Sequence, residues 1–197
     1  DFGQAFPEFS NLTYFRMGGF KSQLSSKNLG FPVTISDFFK ILYQVENPTP
    51  LNKKEIPAIA FCGHATPSLY KKAIELGKNC IENIKRWIAN PHRNDWEPLF
   101  ASAFERWKML KILESSNQLN CLFIYRPKYR AGAKTREQLD QTTKEYYDNI
   151  LQSDYVLCMR GAGNFSVRFY ETLMMGKIPI FVNTDCLLPL DDVIDWK

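Results

Sequence analysis

The 197-residue sequence has few of the side chains that build metal sites. It contains two histidines, its five cysteines are scattered with no Cys-x-x-Cys pair, and no two aspartates are spaced as Asp-x-Asp. The odd number of cysteines leaves at least one thiol unpaired within the chain. Zinc and calcium sites require clusters of ligands at short spacing, so we expect no metal site in this chain.

Long hydrophobic runs and a strong excess of one charge are also missing. No apolar run approaches the roughly 18 residues that a membrane span needs, so no membrane segment is expected. The net charge is +4, from 25 basic and 21 acidic side chains. This excess is too small to indicate a nucleic-acid-binding protein, but it suits a protein that holds a small anionic ligand.

From residue 56 onward the sequence alternates between strand-like apolar runs and helical patterns, whereas residues 1–55 show no such order. Helices between strands at this spacing favour an α/β fold with a Rossmann-like, doubly wound parallel sheet. We therefore divide the chain into an irregular N-terminal segment, 1–55, and a Rossmann-like domain, 56–197. The predicted strands cover residues 56–62, 121–125, 155–159 and 178–182.

Several helices of this domain have recognisable start signals. Thr66 and Pro67 suit the N-cap and the first position of a helix. Thr135-x-x-Gln138 is a capping-box signal for a later helix. Further helices are expected over residues 98–113 and 166–175. Apolar residues at helical spacing predict the buried stripe of the first helix: Leu69, Ala73, Leu76, Cys80, Ile84 and Trp87.

The segment richest in chemistry follows the third predicted strand and reads R-G-A-G-N-F-S-V-R-F-Y-E over residues 160–171. Two glycines in a turn let backbone N–H groups approach a ligand closely, and the helix N-terminus that follows favours phosphate. Arg160 and Arg168 flank the turn, and a guanidinium group can hold phosphate oxygens in a bidentate manner. A phosphate-binding loop is therefore predicted. The alternative is an ordinary glycine-rich connection followed by a surface Arg–Glu pair.

Helical geometry assigns the side chains after this loop to two faces. At about 100° per residue, Arg168 and Glu171 share one face with Thr172. A carboxylate one turn beyond a phosphate site suits the hydroxyl groups of a ribose. The loop is not the G-x-G-x-x-G dinucleotide fingerprint, because Ser166 stands at the third glycine position, and this disfavours an oxidoreductase. The apolar face is expected to comprise Val167, Phe169, Tyr170, Leu173 and Met174.

The run of residues 155–173, followed by G-K-I-P-I-F-V at 176–182 and by Leu188 and Pro189, resembles the signature of exostosin-type glycosyltransferases, family 47. Weaker similarities are T-Y-F-R at 13–16, I-A-F-C-G at 59–63 and F-I-Y-R at 123–126. The resemblance implies the C-terminal half of a GT-B enzyme. Its Rossmann-like domain would bind a nucleotide sugar, usually a UDP-sugar, and the enzyme would transfer the sugar with inversion to a glycan acceptor.

Carried over by position, the resemblance implies that Glu171 contacts the ribose. Asp185, after the last strand, is a candidate nucleoside contact, and ordinary turn chemistry is the open alternative. His64, directly after the first strand, is a candidate catalytic residue, with a structural turn histidine as the alternative. The implied diphosphate contacts are Arg126, Arg160, Gly161, Ala162, Gly163, Asn164, Ser166 and Arg168.

In GT-B enzymes an N-terminal acceptor domain often supplies the catalytic base. Residues 1–55 are too short for such a domain, so the base is expected outside this chain. The leading hypothesis is an inverting glycosyltransferase without a metal or other cofactor, in which arginines and a helix dipole neutralise the leaving diphosphate. The alternative is a non-catalytic nucleotide- or carbohydrate-binding module. An intracellular, cytoplasmic location is favoured, with the Golgi lumen as the alternative for a eukaryotic member.

Overall fold

The computed structural model describes residues 11–48, 54–91, 96–161, 163–191 and 193–196. Four strands form the central parallel sheet: β3 (Ala58–His64), β4 (Asn120–Arg126), β5 (Tyr155–Cys158) and β6 (Ile178–Phe181). Their order across the sheet is β4–β3–β5–β6. Helices cover both faces, so the predicted α/β fold with a doubly wound parallel sheet is confirmed. Within the described ranges, no helix combines the length and apolar character that a membrane crossing requires.

The sheet is sandwiched between two apolar cores. One face is covered by α1 (Phe38–Tyr43), α4 (Arg136–Leu151) and α5 (Val167–Met174). On the other face α3 (Ser102–Glu114) packs Leu110 against Phe61 and Leu157. These three side chains are almost completely buried. Each such burial stabilises the fold by about 1.5–3 kcal/mol relative to an exposed side chain.

The N-terminal segment packs onto the C-terminal part of the chain. Its strands β1 (Tyr14–Arg16) and β2 (Asn28–Gly30) form a separate parallel pair. Isolated bridges join Phe20 to Cys186 and Gly30 to Pro189. The helix α1 contributes the buried Phe39 to the core beneath α4 and α5. The division of the chain at residue 55 stays a prediction.

The helix α2 (Leu69–Ala89) differs from its predicted form in both its start and its orientation. Its N-cap is Ser68, whose side chain accepts a hydrogen bond from the backbone N–H of Lys71, so the predicted start at Thr66 and Pro67 is wrong. The predicted buried stripe is wrong as well, because Leu69, Ile84 and Trp87 are exposed. The inward side of the helix is polar. It binds backbone groups of residues 97–102, which no apolar stripe could do.

The three remaining helix predictions are partly confirmed. The helix expected over residues 98–113 is α3, which begins at Ser102 and ends at Glu114. The capping box at Thr135 is present and opens α4. The predicted apolar face of α5 is shifted, because Leu173 is exposed while Thr172 is completely buried. The side of α5 that carries Arg168, Glu171 and Thr172 faces the protein, because Arg168 and Glu171 make hydrogen bonds to neighbouring elements.

Candidate nucleotide-sugar site

The strand order identifies the switch point of the sheet, which is the place where β3 and β5 end side by side. The chain runs from β3 outward to β4 and then returns across β3 to β5. β3 pairs with β4 from Ala58–Asn120 to His64–Arg126, but with β5 only through Ile59 and Ala60. Beyond these pairs the two strands no longer share ladder hydrogen bonds. Ligands of doubly wound sheets bind at this place.

Arg168 closes the gap between the separating strands. Its Nη2 donates to the carbonyl oxygen of Cys62 in β3 at 2.7 Å, and its Nη1 donates to that of Leu157 in β5 at 3.4 Å. The guanidinium carbon lies 4.3 Å from the centre of the Phe61 ring. A Cβ atom at Gly63 would lie 2.8 Å from Nη2, so a side chain at this position would displace the arginine. The predicted phosphate residue is thus built into the switch point.

A second arginine, Arg106 of α3, reaches the same place. Its Nη1 donates to the carbonyl oxygen of His64 at 3.0 Å, and its Nη2 donates to that of Arg160 at 2.8 Å. It therefore joins the end of β3 to the first residue of the predicted phosphate loop. Burial, and then the nearby charge of Arg168, lower the pKa of Arg106 to about 10. Two guanidinium groups thus bring positive charge to the switch point.

Glu171 lies one turn beyond Arg168 and is held by two tyrosines of α4. The hydroxyl of Tyr146 donates to Oε2 at 2.6 Å, and that of Tyr147 donates to Oε1 at 3.0 Å. Tyr146 also accepts a hydrogen bond from Nε of Arg168. Burial, together with the carboxylate, raises the pKa of both hydroxyls, so they remain protonated donors. The predicted ribose-binding carboxylate is therefore fixed in orientation.

Arg160 has surroundings different from those of Arg168. Its Nη2 donates to the carboxylate of Glu97 at 2.8 Å, and its guanidinium carbon lies 5.2 Å from the centre of the Phe20 ring and 5.3 Å from that of Phe100. The side chain is buried, and Glu97 is also close to Arg86 of α2. The two arginines that flank the loop thus contact different partners, and Arg106 joins the loop to the end of β3.

The loop itself is held by Asn164. Its Nδ2 lies within hydrogen-bond distance of the carbonyl oxygens of Gly19, Thr184 and Asp185, and its Oδ1 accepts from the hydroxyl of Thr184. These contacts fix the position of the loop relative to the chain after β6 and to the N-terminal segment. Asn164 therefore orders the loop.

The remaining described loop residues include two glycines and a serine. Among the described residues, a Cβ atom at Gly161 would come within 4 Å of Nη2 of Arg106 alone, at 3.9 Å, and Gly163 is buried. Ser166 is the N-cap of α5, but its side chain makes no capping hydrogen bond. Ala162 lies outside the described residues. The N-terminus of α5 thus follows the loop as predicted, with its partial positive charge at the switch point.

The other predicted contacts, Arg126 and Asp185, have protein partners. Nη2 of Arg126 donates to the carbonyl oxygen of Thr142 and to the carboxylate of Glu145, both on α4. The carboxylate of Asp185 accepts from the backbone N–H and the hydroxyl of Ser22. A cavity of about 360 Å³ opens between α4 and β4, and none of the predicted contacts that the structure describes lines it.

His64 ends β3 beside the switch point, opposite Arg126 of β4. Its Nε2 is buried and has no hydrogen-bond partner among the described residues. Burial, followed by the charges of Lys71 and Arg106, lowers the pKa of its imidazole. The ring is therefore neutral near pH 7 and can accept a proton or a hydrogen bond.

Sequence reasoning missed Arg106 and the roles of the two tyrosines. Around α3 the charged and apolar residues are mixed without a polar face, so periodicity gives no sign that Arg106 turns inward. Tyr146 and Tyr147 follow the capping box of α4 at helical spacing with Leu139, Thr143 and Ile150, a pattern that predicts only that this side of the helix is buried. The one signal available from the sequence is that both tyrosines lie on this predicted buried side, since a buried hydroxyl requires a hydrogen-bond acceptor.

Comparison with known proteins shows which protein family the chain is similar to. The model of the exostosin GT47 domain matches residues 79–197. A protein named probable glucuronosyltransferase from Oryza sativa subsp. japonica is 35% identical over 52 residues, and the exostosin-1 homolog of Caenorhabditis elegans is 36% identical over 59. A probable beta-1,4-xylosyltransferase of Arabidopsis thaliana is 33% identical over 52 residues.

These matches cover 26%, 29% and 26% of this chain but only 12%, 15% and 13% of the relatives, in that order. The similarity to these relatives is therefore local, whereas the family model extends over more than half of the chain. No solved structure matches.

Proposed function

Because this chain belongs to the exostosin GT47 family, we propose that it binds a UDP-sugar at the switch point and transfers the sugar to a glycan acceptor. The observation that supports this most directly is the pair of arginines, Arg106 and Arg168, which reach the ends of β3 and β5 from helices on opposite faces of the sheet. Some of its relatives are named as a probable glucuronosyltransferase and a probable xylosyltransferase, and these names support glycosyl transfer as the reaction.

In this proposal the diphosphate lies over the loop of residues 160–166. Backbone N–H groups at the start of α5 donate to its oxygens, as they do wherever a helix N-terminus binds an anion. Arg106 and Arg168 supply charge beneath the loop. Positive charge that is already in place stabilises the negative charge that develops on the leaving diphosphate.

Glu171 binds the ribose. Each carboxylate oxygen has two lone pairs, and the tyrosine hydroxyls use one on each oxygen. One acceptor site on each oxygen is therefore left for the vicinal 2′- and 3′-hydroxyls. The two tyrosines prevent the carboxylate from turning, which reduces the entropy lost when the ribose binds.

The transfer step is a single displacement with inversion. The acceptor hydroxyl forms a bond to the anomeric carbon while the bond from that carbon to the phosphate oxygen breaks. The electron pair of the broken bond leaves with the diphosphate, and the acceptor proton goes to a base. His64 is neutral and at the switch point, so it is the candidate in this chain for accepting a hydrogen bond from substrate. No residue is assigned as the base.

A metal-independent reaction follows from the same proposal, because guanidinium groups and the helix dipole carry the neutralising charge. UDP affinity measured by calorimetry is then expected to be the same with EDTA as with added Mg²⁺ or Mn²⁺. A loss of binding in EDTA that either metal restores would contradict this part of the proposal while leaving the site itself intact.

The site is tested by ligand-induced stabilisation and two matched variants. UDP is expected to raise the melting temperature, and ADP and NAD are expected to have little effect, since a ligand that binds only the folded state stabilises it. Arg106→Gln removes a charge-assisted contact and should weaken UDP binding about 10- to 100-fold. Glu171→Gln should weaken it less, because the amide retains one acceptor oxygen.

The control is Arg136→Gln, which removes the same charge from an exposed pair with Asp140 in the first turn of α4. Its UDP affinity should equal that of the wild type. Circular dichroism confirms that each variant is folded before binding is measured. If both site variants bind UDP as the wild type does, the site assignment is wrong. If UDP binds but neither sugar transfer nor donor hydrolysis occurs, the protein is a binding module.

A further inference from the structure

The helix α2 exposes its apolar side. Seven of its large apolar residues have between 41% and 76% of their surface exposed. With 3.6 residues per turn, they cover an arc of about 140° around the helix, and the small exposed residues Ala73, Gly77 and Cys80 lie within the same arc. We call this the α2 face. Its large members are Leu69, Tyr70, Ile74, Ile81, Ile84, Trp87 and Ile88.

Specific polar contacts fix this orientation. Asn83 exchanges two hydrogen bonds of 2.8 Å with the backbone of Glu97. Asn79 donates to the carbonyl oxygens of Pro98 and Phe100. The carboxylate of Glu75 accepts from the backbone and hydroxyl of Ser102. Rotating α2 to bury its apolar side would break all of these bonds, so the α2 face points away from the protein.

A row of lysines borders the α2 face on one side. Lys71, Lys78 and Lys85 are spaced seven residues apart and are exposed. In helical projection they lie between the apolar arc and the polar side, and no acidic residue of the helix lies between them and the arc. An apolar face bordered by lysines and containing Trp and Tyr is typical of helices that lie in the interface of a membrane.

We propose that the α2 face binds the surface of a lipid membrane that contains anionic headgroups. The helix would lie parallel to the membrane, with its isoleucines and Trp87 below the headgroups and its lysines at the level of the phosphates. A helix of 21 residues is about 31 Å long, so the contact would extend across one side of the domain. The lysine row supplies the attraction for anionic lipid.

Two features favour a membrane over a second polypeptide. A single partner helix packs along a narrow seam. It would leave much of the arc of about 140° in contact with water. Antiparallel pairing of two copies through Tyr70, Ile74, Ile81 and Ile88 would bring the two lysine rows together, where like charges repel. A fluid membrane covers the whole arc and accepts the lysines at its surface.

The test is co-sedimentation with vesicles of phosphatidylcholine containing about 30% phosphatidylserine, compared with phosphatidylcholine alone. The protein is expected to bind the anionic vesicles and to be released by about 0.5 M salt, which screens charge. Ile81→Asp should reduce the partition coefficient at least tenfold. Replacing Lys71, Lys78 and Lys85 by Gln should reduce it by about fivefold for each lysine that contacts the surface.

The matched control is Ile41→Asp. Ile41 has 62% of its surface exposed but lies on α1, which packs against the opposite face of the sheet. This variant should bind vesicles as the wild type does. Vesicle binding by Ile81→Asp at the wild-type level, or equal loss in both variants, would overturn the proposal.

Cys80 allows a second, independent reading, because it lies within the α2 face and is exposed whereas Cys62, Cys158 and Cys186 are buried. In a Cys121→Ser background, a polarity-sensitive fluorophore on Cys80 should shift to the blue when anionic vesicles are added. If Cys80 resists a maleimide reagent without lipid, or if ultracentrifugation shows a dimer that Ile81→Asp dissociates, a polypeptide covers the face and the proposal is wrong.

Discussion

Helices α2 and α5 both turn polar side chains toward the protein at positions where apolar periodicity predicts the opposite. In α5, Arg168 and Glu171 face inward and Leu173 is exposed. In α2, Asn79 and Asn83 face inward and the isoleucines are exposed. The partners differ: α5 binds strand carbonyls and tyrosines through charged groups, whereas α2 binds the segment before α3 through the neutral amides of Asn79 and Asn83 and the start of α3 through the carboxylate of Glu75.

The comparison shows that unpaired backbone groups can decide which side of a helix is buried. A buried carbonyl or N–H without a partner costs about 1–3 kcal/mol, which is comparable to the gain of about 1.5–3 kcal/mol from burying one large apolar side chain. Strands that separate at a switch point, and segments such as 97–100 that form no regular structure, both create this demand. The helix α5 supplies the missing partners through charged side chains, whereas α2 supplies them mainly through neutral amides.

Arg168→Met should have the largest effect on stability. The methionine retains the apolar part of the side chain but leaves the carbonyls of Cys62 and Leu157 without their donor. Tyr146 also loses a donor. We expect the free energy of unfolding, measured with urea, to fall by about 2–4 kcal/mol.

Arg168→Lys separates charge from geometry in this prediction. A lysine restores the positive charge but cannot donate to two strands at once, so it should recover only part of the loss. Arg136→Met, at an exposed position of α4, is the control and should change stability by less than about 0.5 kcal/mol. A stable Arg168→Met variant would show that the strands separate without needing the arginine.

Asn83→Ala should have a smaller effect, because the hydrogen bonds it removes are neutral. Both atoms of the amide are used, by the carbonyl and the N–H of Glu97. We expect a loss of about 1–2 kcal/mol in unfolding free energy. Asn117→Ala, an exposed position in the turn before β4, should leave stability unchanged. Equal effects of the two substitutions would mean that polar contacts do not hold α2 in its orientation.

The sequence predicts the sheet better than it predicts the helix faces. All four strands of the central sheet lie within two residues of their expected ends, because short apolar runs bounded by turn residues have few alternatives. The predicted face of α2 is wrong and that of α5 is shifted, because apolar periodicity carries no information about which backbone groups elsewhere lack partners.

The candidate site shows the same limit. The glycine-rich loop and Arg168 are recognisable because their residues are close in sequence and follow a strand. Arg106 lies 54 residues before Arg160, whose carbonyl it binds, and no local pattern connects them. The tyrosines that hold Glu171 are likewise 24 and 25 residues away from it. Contacts of this kind depend on the fold, so they emerge only from three-dimensional structure.

The smallest expected effect concerns His64, which lies where the surroundings of α2 and of the switch point meet. Lys71 of α2 and Arg106 of α3 both lower the pKa of its imidazole, after burial, while Glu75 acts in the opposite direction. Below the unfolded pKa of about 6.5 the unfolded chain therefore binds more protons than the folded one. Lowering the pH from 7 to 5 should accordingly destabilise the wild type, with no contribution from His64 above pH 7.

His64→Gln removes this titration and should reduce the loss in melting temperature between pH 7 and pH 5. Lys71→Gln should reduce it by a smaller amount, because burial and Arg106 remain. The measurement is the difference between variant and wild type at each pH, since other groups titrate in the same interval. If Lys71→Gln changes the pH dependence of the melting temperature and Arg106→Gln does not, then the charge on α2 determines the pKa of His64 at the switch point. The opposite result would mean that Arg106 of the candidate site, and not α2, sets the charge around His64.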